Sequence, residues 1–214
     1  AMPSIDITKP EKCVLVLYGD VPLTNFSTLS KLVQQASAST LCLLTLVTEN
    51  PTGLGRIVRN NAGEITAIVE EKDASEAQKQ IKEINTGIMV IPAKKLNTWL
   101  NCLGNNNAQG EYYLTDVVAM AAADDYCTIS AMVIDDENEV QGVNDKAQLA
   151  GLERQFQMNK AEQLLKAGVL LRDPSRIDIR GEIETGSDVE IDINALFQGR
   201  VSLGNGVKIG ANVV

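Results

Sequence analysis

From Ile183 to the end of the chain, small apolar side chains recur at every sixth position, and no other feature of the sequence restricts the fold as strongly. One row consists of Ile183, Val189, Ala195, Val201, Val207 and Val213, and a second row of Ile191, Phe197, Leu203 and Ile209. A meander of alternating strands would show a period of two instead. The sequence therefore predicts a β-helix of hexapeptide repeats, with three short strands in each coil of about 18 residues.

The earlier part of the chain alternates apolar, strand-like runs with amphipathic helices. Residues 13–18 and 41–47 form continuous apolar runs, as expected for strands that are covered on both faces. Between them, residues 26–36 carry an apolar helical stripe made of Phe26, Leu29, Leu32 and Val33. A strand, a helix and a second strand in this order predict a βαβ unit, and hence an α/β fold with a parallel sheet.

Further elements are predicted in the same region. Asn60 to Gly63 has the composition of a hairpin turn and lies between the alternating runs 56–59 and 64–71. Two more strands are predicted at 83–91 and 128–134, and two more helices at 93–103 and 111–122.

A long amphipathic helix is predicted from Asp145 to Lys166. Asp145 and Gln148 suit a capping box at its start, and Gly168 suits the position just after its end. The predicted buried stripe consists of Leu149, Leu152, Phe156, Leu164 and Leu165. We expect this helix to connect two modules of the chain.

Composition and charge exclude several classes of function. Hydrophobic residues make up 44% of the chain and charged residues 22%, a balance typical of a soluble globular protein. The formal net charge of −9 disfavours nucleic acid as a partner. No apolar run approaches the roughly 18 residues of a membrane span, and the N-terminus has no apolar export signal. We therefore expect a cytoplasmic protein that binds neither nucleic acid nor membrane.

The chain has no histidine and four dispersed cysteines. Without histidine, Ser-His-Asp and Cys-His catalysis and histidine metal ligands are excluded for this chain. The cysteines form no C-x-x-C pair, which disfavours a zinc site, and we predict that all four are reduced thiols. Any chemistry must therefore use carboxylates, amides, lysines, backbone groups or a bound metal ion.

Two side chains with oxygen donors suggest a place for a metal ion. Asp20 follows an apolar strand, and ligands of open α/β sheets bind beyond the carboxyl ends of the strands. Asn144 precedes the long helix and offers an amide oxygen. Magnesium takes oxygen ligands, often only one or two of them from protein. Taken singly, an aspartate in a turn and an asparagine before a helix are more often turn or cap residues.

Three further residues suit a pocket for a sugar or a nucleotide. Gly55 would let a ring lie directly against the main chain. Glu70 and Asn85 each place a polar side chain at the end of an apolar strand, where it can read sugar hydroxyls. None of the three is decisive alone, because turn glycines and polar residues at strand ends are common.

Taken together and in order, these segments resemble one family. They are LYGDVPL, NPTGLGRI, VEEKDA, EINTGI, NNNAQGEYYLTD and EVQGVN, followed by the hexapeptide repeats. From Cys13 onward the chain resembles the bacterial bifunctional N-acetylglucosamine-1-phosphate uridyltransferase and glucosamine-1-phosphate acetyltransferase family. NNNAQGEYYLTD is the most specific of these segments.

The resemblance implies a fold and a domain order. It implies a Rossmann-like pyrophosphorylase domain, of which residues 1–144 would be a part, and a connecting helix and linker at 145–176. Residues 177–214 would then be the first coils of a left-handed parallel β-helix. In this family the β-helix forms homotrimers and carries an acetyltransferase site that uses acetyl-CoA.

The resemblance also implies a reaction and a set of site residues. UTP and N-acetylglucosamine 1-phosphate would be joined to give UDP-N-acetylglucosamine and pyrophosphate, with Mg²⁺ bound by Asp20 and Asn144. The implied UDP-N-acetylglucosamine site consists of Tyr18, Gly19, Asp20, Gly55, Glu70, Asn85 and Asn144.

The sequence departs from the family pattern at both ends. Residues 1–12 contain no glycine, whereas the family opens with a strand, a glycine-rich phosphate-binding loop and a nearby lysine. Only about two coils of the β-helix fit before Val214. We therefore expect a central fragment with weak or no uridyltransferase activity and no acetyltransferase activity, because donors to the phosphates are missing.

Two alternatives stay open. Another sugar-1-phosphate nucleotidyltransferase, making ADP- or dTDP-sugars, is one of them, although NNNAQGEYYLTD argues against it. A catalytically inactive module that binds ligand or forms trimers is the other, and the missing loop favours it for this chain. Nucleotide selectivity tests the first alternative, and binding of UDP-N-acetylglucosamine and Mg²⁺ tests the binding form of the second.

Overall fold

The computed structural model describes Ile5, Lys9 and residues 11–214. The chain divides into two compact units, one ending at Gln141 and the other formed by Gly142–Val214. In the described part of the first unit the elements are, in chain order, β1 (Cys13–Val16), α1 (Phe26–Gln35), β2 (Thr40–Val47), β3 (Arg56–Arg59), β4 (Ile65–Val69), α2 (Glu76–Lys79), β5 (Glu83–Pro92), α3 (Ala93–Leu100), α4 (Asp116–Ala122) and β6 (Thr128–Ile134).

The strands of the first unit form one mixed sheet around β5. The strand order is β4-β3-β5-β2-β6, and β1 pairs with the C-terminal half of β5. β1, β2 and β3 all run antiparallel to β5, whereas β2 and β6 are parallel. The α/β class is therefore confirmed, but the predicted parallel sheet is wrong, because β5 inserts antiparallel between β1 and β2. Apolar patterning indicates burial and not strand direction, so the antiparallel direction of β5 could not be predicted from it.

β1 is shorter and more exposed than predicted. It ends at Val16, its four residues are all partly exposed, and Leu17 and Tyr18 are about half exposed. Within the described residues β1 pairs with β5 alone, so it lies at an edge of the sheet. The prediction of a strand over 13–18 that is covered on both faces is therefore wrong.

β2, by contrast, is covered on both faces, as its continuous apolar run predicts. Leu41 and Leu43 belong to the core cluster that includes residues of α3 and α4. Cys42 and Leu44 belong to the opposite cluster, against Leu32 of α1. Helices thus pack on both sides of the sheet, and each face receives every second residue of the strand.

The apolar stripe of α1 is narrower than predicted. Leu32 is fully buried and Leu29 packs beside it, but Phe26 and Val33 are exposed. The buried face of the helix consists of Leu32 and Thr28 with Leu29 beside them, so the prediction of Phe26 and Val33 as packing residues is wrong.

The predicted hairpin is present. β3 and β4 pair antiparallel, and the Asn60 side-chain oxygen accepts hydrogen bonds from the amides of Ala62 and Glu64, both at 3.0 Å. Gly63 has φ +84°, the left-handed conformation that glycine adopts readily. The turn residues therefore act as their composition predicts.

Two helices are shorter than predicted. α3 ends at Leu100 instead of residue 103, and α4 begins at Asp116 instead of residue 111. Before α4, the Asn107 side-chain oxygen accepts from the amides of Gln109 and Glu111, both at 3.1 Å. The Asn107 side-chain amide also donates to the carbonyl of Glu111, which would be the first acceptor of the predicted helix, so residues 111–115 are irregular.

The second unit contains one long helix followed by strands of two or nine residues. Its elements are α5 (Lys146–Lys166), β7 (Leu170–Leu171), a short 3₁₀ helix (Pro174–Arg176), β8 (Ile177–Thr185), β9 (Glu190–Ile191), β10 (Ala195–Leu203) and β11 (Lys208–Ile209).

The ends of α5 agree with the sequence, except for one half of the predicted capping box. The Asp145 side chain accepts from the amide of Gln148 at 2.8 Å, and Gly168 follows the helix with φ +93°. The Gln148 side chain, however, accepts from the amide of Asn144 at 2.6 Å instead of that of Asp145. The helix is therefore capped, but not by the reciprocal pair.

The predicted buried stripe of α5 is only partly correct. Leu152 and Leu164 are buried, whereas Leu149, Phe156 and Leu165 are exposed. The inward face also contains Gln157, which is 2% exposed, and Ala161. Gln157 accepts from the amide of Ile179 at 2.7 Å and donates to its carbonyl at 3.3 Å. The inward face of this helix can therefore carry the polar residue Gln157, because the backbone amide and carbonyl of Ile179 satisfy its side chain.

The strands after α5 stack in parallel at a fixed sequence offset. β8 pairs with β10 from Ile177 opposite Ala195 to Thr185 opposite Leu203, an offset of 18 residues. β9 pairs with β11 at the same offset, Glu190 lying opposite Lys208. Except for Val213, the residues of both six-residue rows either belong to the buried core cluster of this unit or are partly buried and pack against it. The offset is three of the six-residue periods, which stacks equivalent side chains directly above one another.

The cysteines are free thiols. Burial raises the pKa of Cys13, Cys42 and Cys127, that of Cys42 to about 11, so these thiols remain protonated at neutral pH. Across the described ranges, no helix combines the length and apolarity needed to cross a membrane.

Candidate functional site

Most of the predicted site residues lie in the first unit, next to strands that pair with β5. Tyr18, Gly19 and Asp20 follow β1. Gly55 directly precedes β3, Glu70 directly follows β4, and Asn85 lies within β5. Because β1 and β3 both pair with β5, the sheet brings together segments that are far apart in the sequence.

Gly55 lies next to both Asn85 and Glu70. The Gly55 carbonyl accepts a hydrogen bond from the Asn85 amide at 2.8 Å. A Cβ atom added to Gly55 would lie 3.2 Å from the Glu70 Oε2 atom and 3.0 Å from Ile68 Cγ2. Any larger residue at position 55 would therefore press on the Glu70 carboxylate.

Glu70 is oriented by a residue that the sequence analysis did not identify. The buried Thr115 hydroxyl donates to Glu70 Oε1 at 3.0 Å. Thr115 immediately precedes α4, but its side chain makes no hydrogen bond that caps the helix. It hydrogen-bonds the Glu70 carboxylate instead. The Thr115-Asp116 pair before an apolar run is a pattern typical of a helix start. It went unrecognised because the helix was predicted to begin earlier, at residue 111.

Tyr18 packs against the backbone of Gly87, which the sequence analysis also missed. A Cβ on Gly87 would lie 2.0 Å from the Tyr18 ring, and Gly87 has φ +80°. The Gly87 amide donates to the Asn85 side-chain oxygen at 3.1 Å. This connects Tyr18 to the Gly55–Glu70–Asn85 group. The signal was the glycine of EINTG, inside a strand.

The Tyr18 phenol is influenced by burial and by the charges of two carboxylates. Burial raises the pKa of the Tyr18 phenol, and the nearby charges of Glu70 and Asp20 raise it further. The raised pKa keeps the phenol protonated at neutral pH, so it can act as a hydrogen-bond donor. We call Tyr18, Asp20, Gly55, Glu70 and Asn85 the sheet-end cluster.

The two predicted metal ligands lie in different units. Asp20 is exposed, and its carboxylate makes no hydrogen bond or ion pair with the described residues. Asn144 is also exposed, and the helix cap is Asp145, so the ordinary cap explanation does not apply to the Asn144 side chain. Within the described ranges, no group of three or more Asp, Glu, Cys or His side chains could hold a metal ion. A carboxylate oxygen and an amide oxygen are donor types that suit Mg²⁺, which often takes most of its ligands from water and phosphate.

Comparisons with known proteins identify relatives over nearly the whole chain. The chain is 58% identical over 200 residues to the bifunctional protein GlmU of Marinomonas sp. (strain MWYL1), and the match covers 92% of the chain. It is 54% identical over 200 residues to the bifunctional protein GlmU of Azoarcus sp. (strain BH72), covering 94% of the chain. The matched region is 44% of the length of each of these relatives. No model of a known protein family matches the chain.

A solved structure shares the fold at low sequence identity. The crystal structure described as a UDP-N-acetylglucosamine pyrophosphorylase from Entamoeba histolytica matches with a TM-score of 0.51 and 13% identity. The match covers 75% of this chain and 50% of that one, and it supports the fold alone. With more than half of its residues identical over nine-tenths of its length, the chain belongs to the GlmU family and corresponds to a segment of its members.

Proposed function

We propose that the first unit carries the UDP-N-acetylglucosamine pocket of an N-acetylglucosamine-1-phosphate uridyltransferase. The observation that carries the proposal is the convergence of Tyr18, Gly55, Glu70 and Asn85 at one end of the sheet. These residues come from four separate segments of the sequence, and each matches the family motif in which it stands. A purely structural role would not require the partly exposed Tyr18 ring, the Glu70 carboxylate and the Asn85 amide to lie near the backbone of Gly55, which has no side chain.

Each member of the cluster has a proposed role. Gly55 lets the ligand lie against the main chain, because it has no side chain to prevent the approach. Glu70 and Asn85 bind sugar hydroxyl and amide groups, and Thr115 holds the Glu70 carboxylate in place. Tyr18 and Gly19 line the same pocket, where the protonated phenol of Tyr18 donates a hydrogen bond.

Asp20 and Asn144 are the proposed Mg²⁺ ligands. When bound, the metal ion would neutralise charge on the phosphates during transfer. Asp20 contributes an exposed carboxylate and Asn144 an amide oxygen, the oxygen donors that this ion prefers.

The proposed reaction requires little proton transfer from the protein. A phosphate oxygen of N-acetylglucosamine 1-phosphate attacks the α-phosphorus of UTP, a new P–O bond forms, and the bond to the leaving pyrophosphate breaks. The nucleophile is already ionised, so no protein base is needed, which agrees with the absence of histidine. The chain contributes by holding the sugar in line with the phosphorus, through Glu70, Asn85 and the backbone at Gly55.

For the second unit we propose the start of a left-handed parallel β-helix. The support is the 18-residue offset between parallel strands and the two apolar rows in its core. In the whole protein this module would form homotrimers and acetylate glucosamine 1-phosphate with acetyl-CoA, and the protein would be cytoplasmic. The proposed domains are the pyrophosphorylase part at 1–144, the connecting helix and linker at 145–176, and the coils at 177–214.

Isothermal titration with a panel of nucleotide sugars tests the proposal for the first unit. With MgCl₂ present, we expect the chain to bind UDP-N-acetylglucosamine more tightly than UDP-glucose, ADP-glucose or dTDP-glucose. Asp20→Asn should weaken the dependence of binding on Mg²⁺. Tighter binding of an ADP- or dTDP-sugar would favour another nucleotidyltransferase, and no binding of any of them would overturn the proposal.

A further inference from the structure

One charged side chain is fully buried next to the sheet-end cluster. Arg56 is 1% exposed and is among the largest fully buried side chains of the described residues. A buried guanidinium is unfavourable unless its charge is paired and its donors are bonded. One of its donors, Nε, is buried and has no partner among the described residues. An apolar side chain of similar volume would avoid that cost, so stability alone is a poor explanation for an arginine here.

Arg56 joins three segments of the chain. Its Nη2 atom pairs with Glu71 Oε2 at 2.5 Å and lies 3.5 Å from the carbonyl oxygen of Lys79. Its Nη1 atom donates to the carbonyl of Leu54. The guanidinium therefore ties the loop before β3 to the residue two positions after β4 and to the end of α2. Its planar fork allows these simultaneous contacts, which a lysine could not reproduce.

The tied segments are those that carry the cluster. Gly55 lies between Leu54 and Arg56, and Glu70 directly precedes Glu71. In the β3–β4 register Arg56 is opposite Val69, which places Gly55 opposite Glu70. Arg56 is also opposite Ile84 of β5, one residue before Asn85. A shift of the Arg56–Glu71 pair would therefore change the separation of Gly55, Glu70 and Asn85.

We infer that the Arg56–Glu71 ion pair is a positioning pair that sets the distance between the Gly55 backbone and the Glu70 carboxylate. This distance in turn determines how well the site selects the sugar of UDP-N-acetylglucosamine. The inference rests on the proposed function for its ligand, but the positioning itself is a property of the free chain. Neither residue is assigned a contact with substrate.

The same strand offers a matched control. Arg59, at the other end of β3, forms an ion pair with Glu83 at 2.8 Å, and its side chain is 36% exposed. Arg56→Lys and Arg59→Lys are the same chemical change in the same strand, and each weakens an ion pair. Glu71→Gln is a second variant, and it is expected to fold because the Glu71 side chain is partly exposed and keeps its shape.

The first readout is the amide ¹H–¹⁵N spectrum of the free chain. In Arg56→Lys and Glu71→Gln we expect shifted or broadened signals at Gly55, Glu70 and Asn85, and in Arg59→Lys unchanged signals at those positions. Unchanged signals in the first two variants would overturn the inference, whether or not the chain binds a nucleotide sugar.

The second readout is the ratio of affinities for UDP-N-acetylglucosamine and UDP. We expect Glu71→Gln and Arg56→Lys to weaken binding of the sugar nucleotide about tenfold while changing UDP binding much less, because the cluster contacts the sugar. Simple destabilisation would lower both affinities together, so an unchanged ratio would overturn the inference. If the unmodified chain binds no sugar nucleotide, the proposed function fails, and the amide spectra alone decide on positioning.

Discussion

At the scale of single residues, substituting two glycines by alanine distinguishes two causes of destabilisation: a strained left-handed backbone and a steric clash with a neighbouring side chain. Gly87 and Gly63 both have left-handed backbone, but only Gly87 has a neighbour, the Tyr18 ring, where a Cβ would lie. Gly63→Ala should destabilise the chain by about 1–2 kcal/mol, the cost of a left-handed alanine. Gly87→Ala should cost more and should also abolish binding of UDP-N-acetylglucosamine, because Tyr18 must move. Urea unfolding and isothermal titration measure both effects, and equal behaviour of the two variants would contradict this assignment.

Thr115 provides a second test at this scale. Thr115→Val keeps the shape of the side chain but removes the hydroxyl that donates to Glu70. We expect a loss of about 1 kcal/mol in stability and of about tenfold in affinity for UDP-N-acetylglucosamine, because the carboxylate loses its orienting partner. Thr98→Val is the control, since its hydroxyl bonds only the Lys94 carbonyl on an exposed helix face. If both variants bind equally well, Thr115 does not orient the site.

The sequence predicted the members of the cluster better than the contacts between them. Gly55, Glu70 and Asn85 could be selected because each stands in a segment that matches a family motif, and because a glycine next to a strand and polar side chains at strand ends suit a sugar pocket. Thr115 and Gly87 could not, because their importance depends on partners 45 and 69 positions away, Glu70 and Tyr18 respectively. A single sequence contains no record of such long-range contacts.

At the scale of elements, side chains of the helix α5 form hydrogen bonds with backbone groups of the strand β8. Gln157 bonds both the amide and the carbonyl of Ile179, and Lys160 donates to the carbonyls of Ile179 and Gly181 at 3.1 and 2.8 Å. Gln157→Leu should destabilise the second unit by about 2–3 kcal/mol, because it leaves buried backbone groups unsatisfied. Gln163→Leu, on the exposed side of the same helix, should have little effect. Chemical denaturation compares them, and equal stabilities would contradict this role of Gln157.

The ion pair between β3 and β5 gives a prediction for pH dependence. Hydrogen bonding to Arg59 lowers the pKa of Glu83 below its ordinary value, with a smaller contribution from the Thr45 hydroxyl. A lowered folded-state pKa contributes stability above the unfolded pKa, which is lost as the pH falls through the folded value. Glu83→Gln should therefore cost about 0.5–1 kcal/mol at pH 7 and progressively less below about pH 4. Unfolding measured across this range tests the prediction, and a cost independent of pH would contradict it.

Elements whose apolar pattern and turn chemistry agree were predictable, and elements shaped by polar side chains were not. The hairpin around Gly63 and the strand β6 appear as predicted. The start of α4 was predicted too early because the Asn107 side chain bonds both the amide and the carbonyl of Glu111. The stripe of α5 was misread because its inward face carries Gln157 to satisfy a strand edge.

At the scale of the whole molecule, the family relation and the fold class were readable from sequence, whereas the direction of β5 was not. The ordered motifs led to a family that the relatives bear out at 54–58% identity. The period-six rows required an 18-residue repeat, and the strands of the second unit pair at that offset. A buried parallel strand and a buried antiparallel strand can have the same apolar run, so the mixed sheet could be recognised only from the structure.

The central claim is that the sheet-end cluster binds the sugar of UDP-N-acetylglucosamine. The most direct measurement is a crystal structure of the chain soaked with UDP-N-acetylglucosamine and MgCl₂. We expect density for the sugar against the Gly55 backbone, within hydrogen-bond distance of Glu70 and Asn85. A ligand bound elsewhere on the chain, or an empty cluster at a saturating ligand concentration, would contradict it.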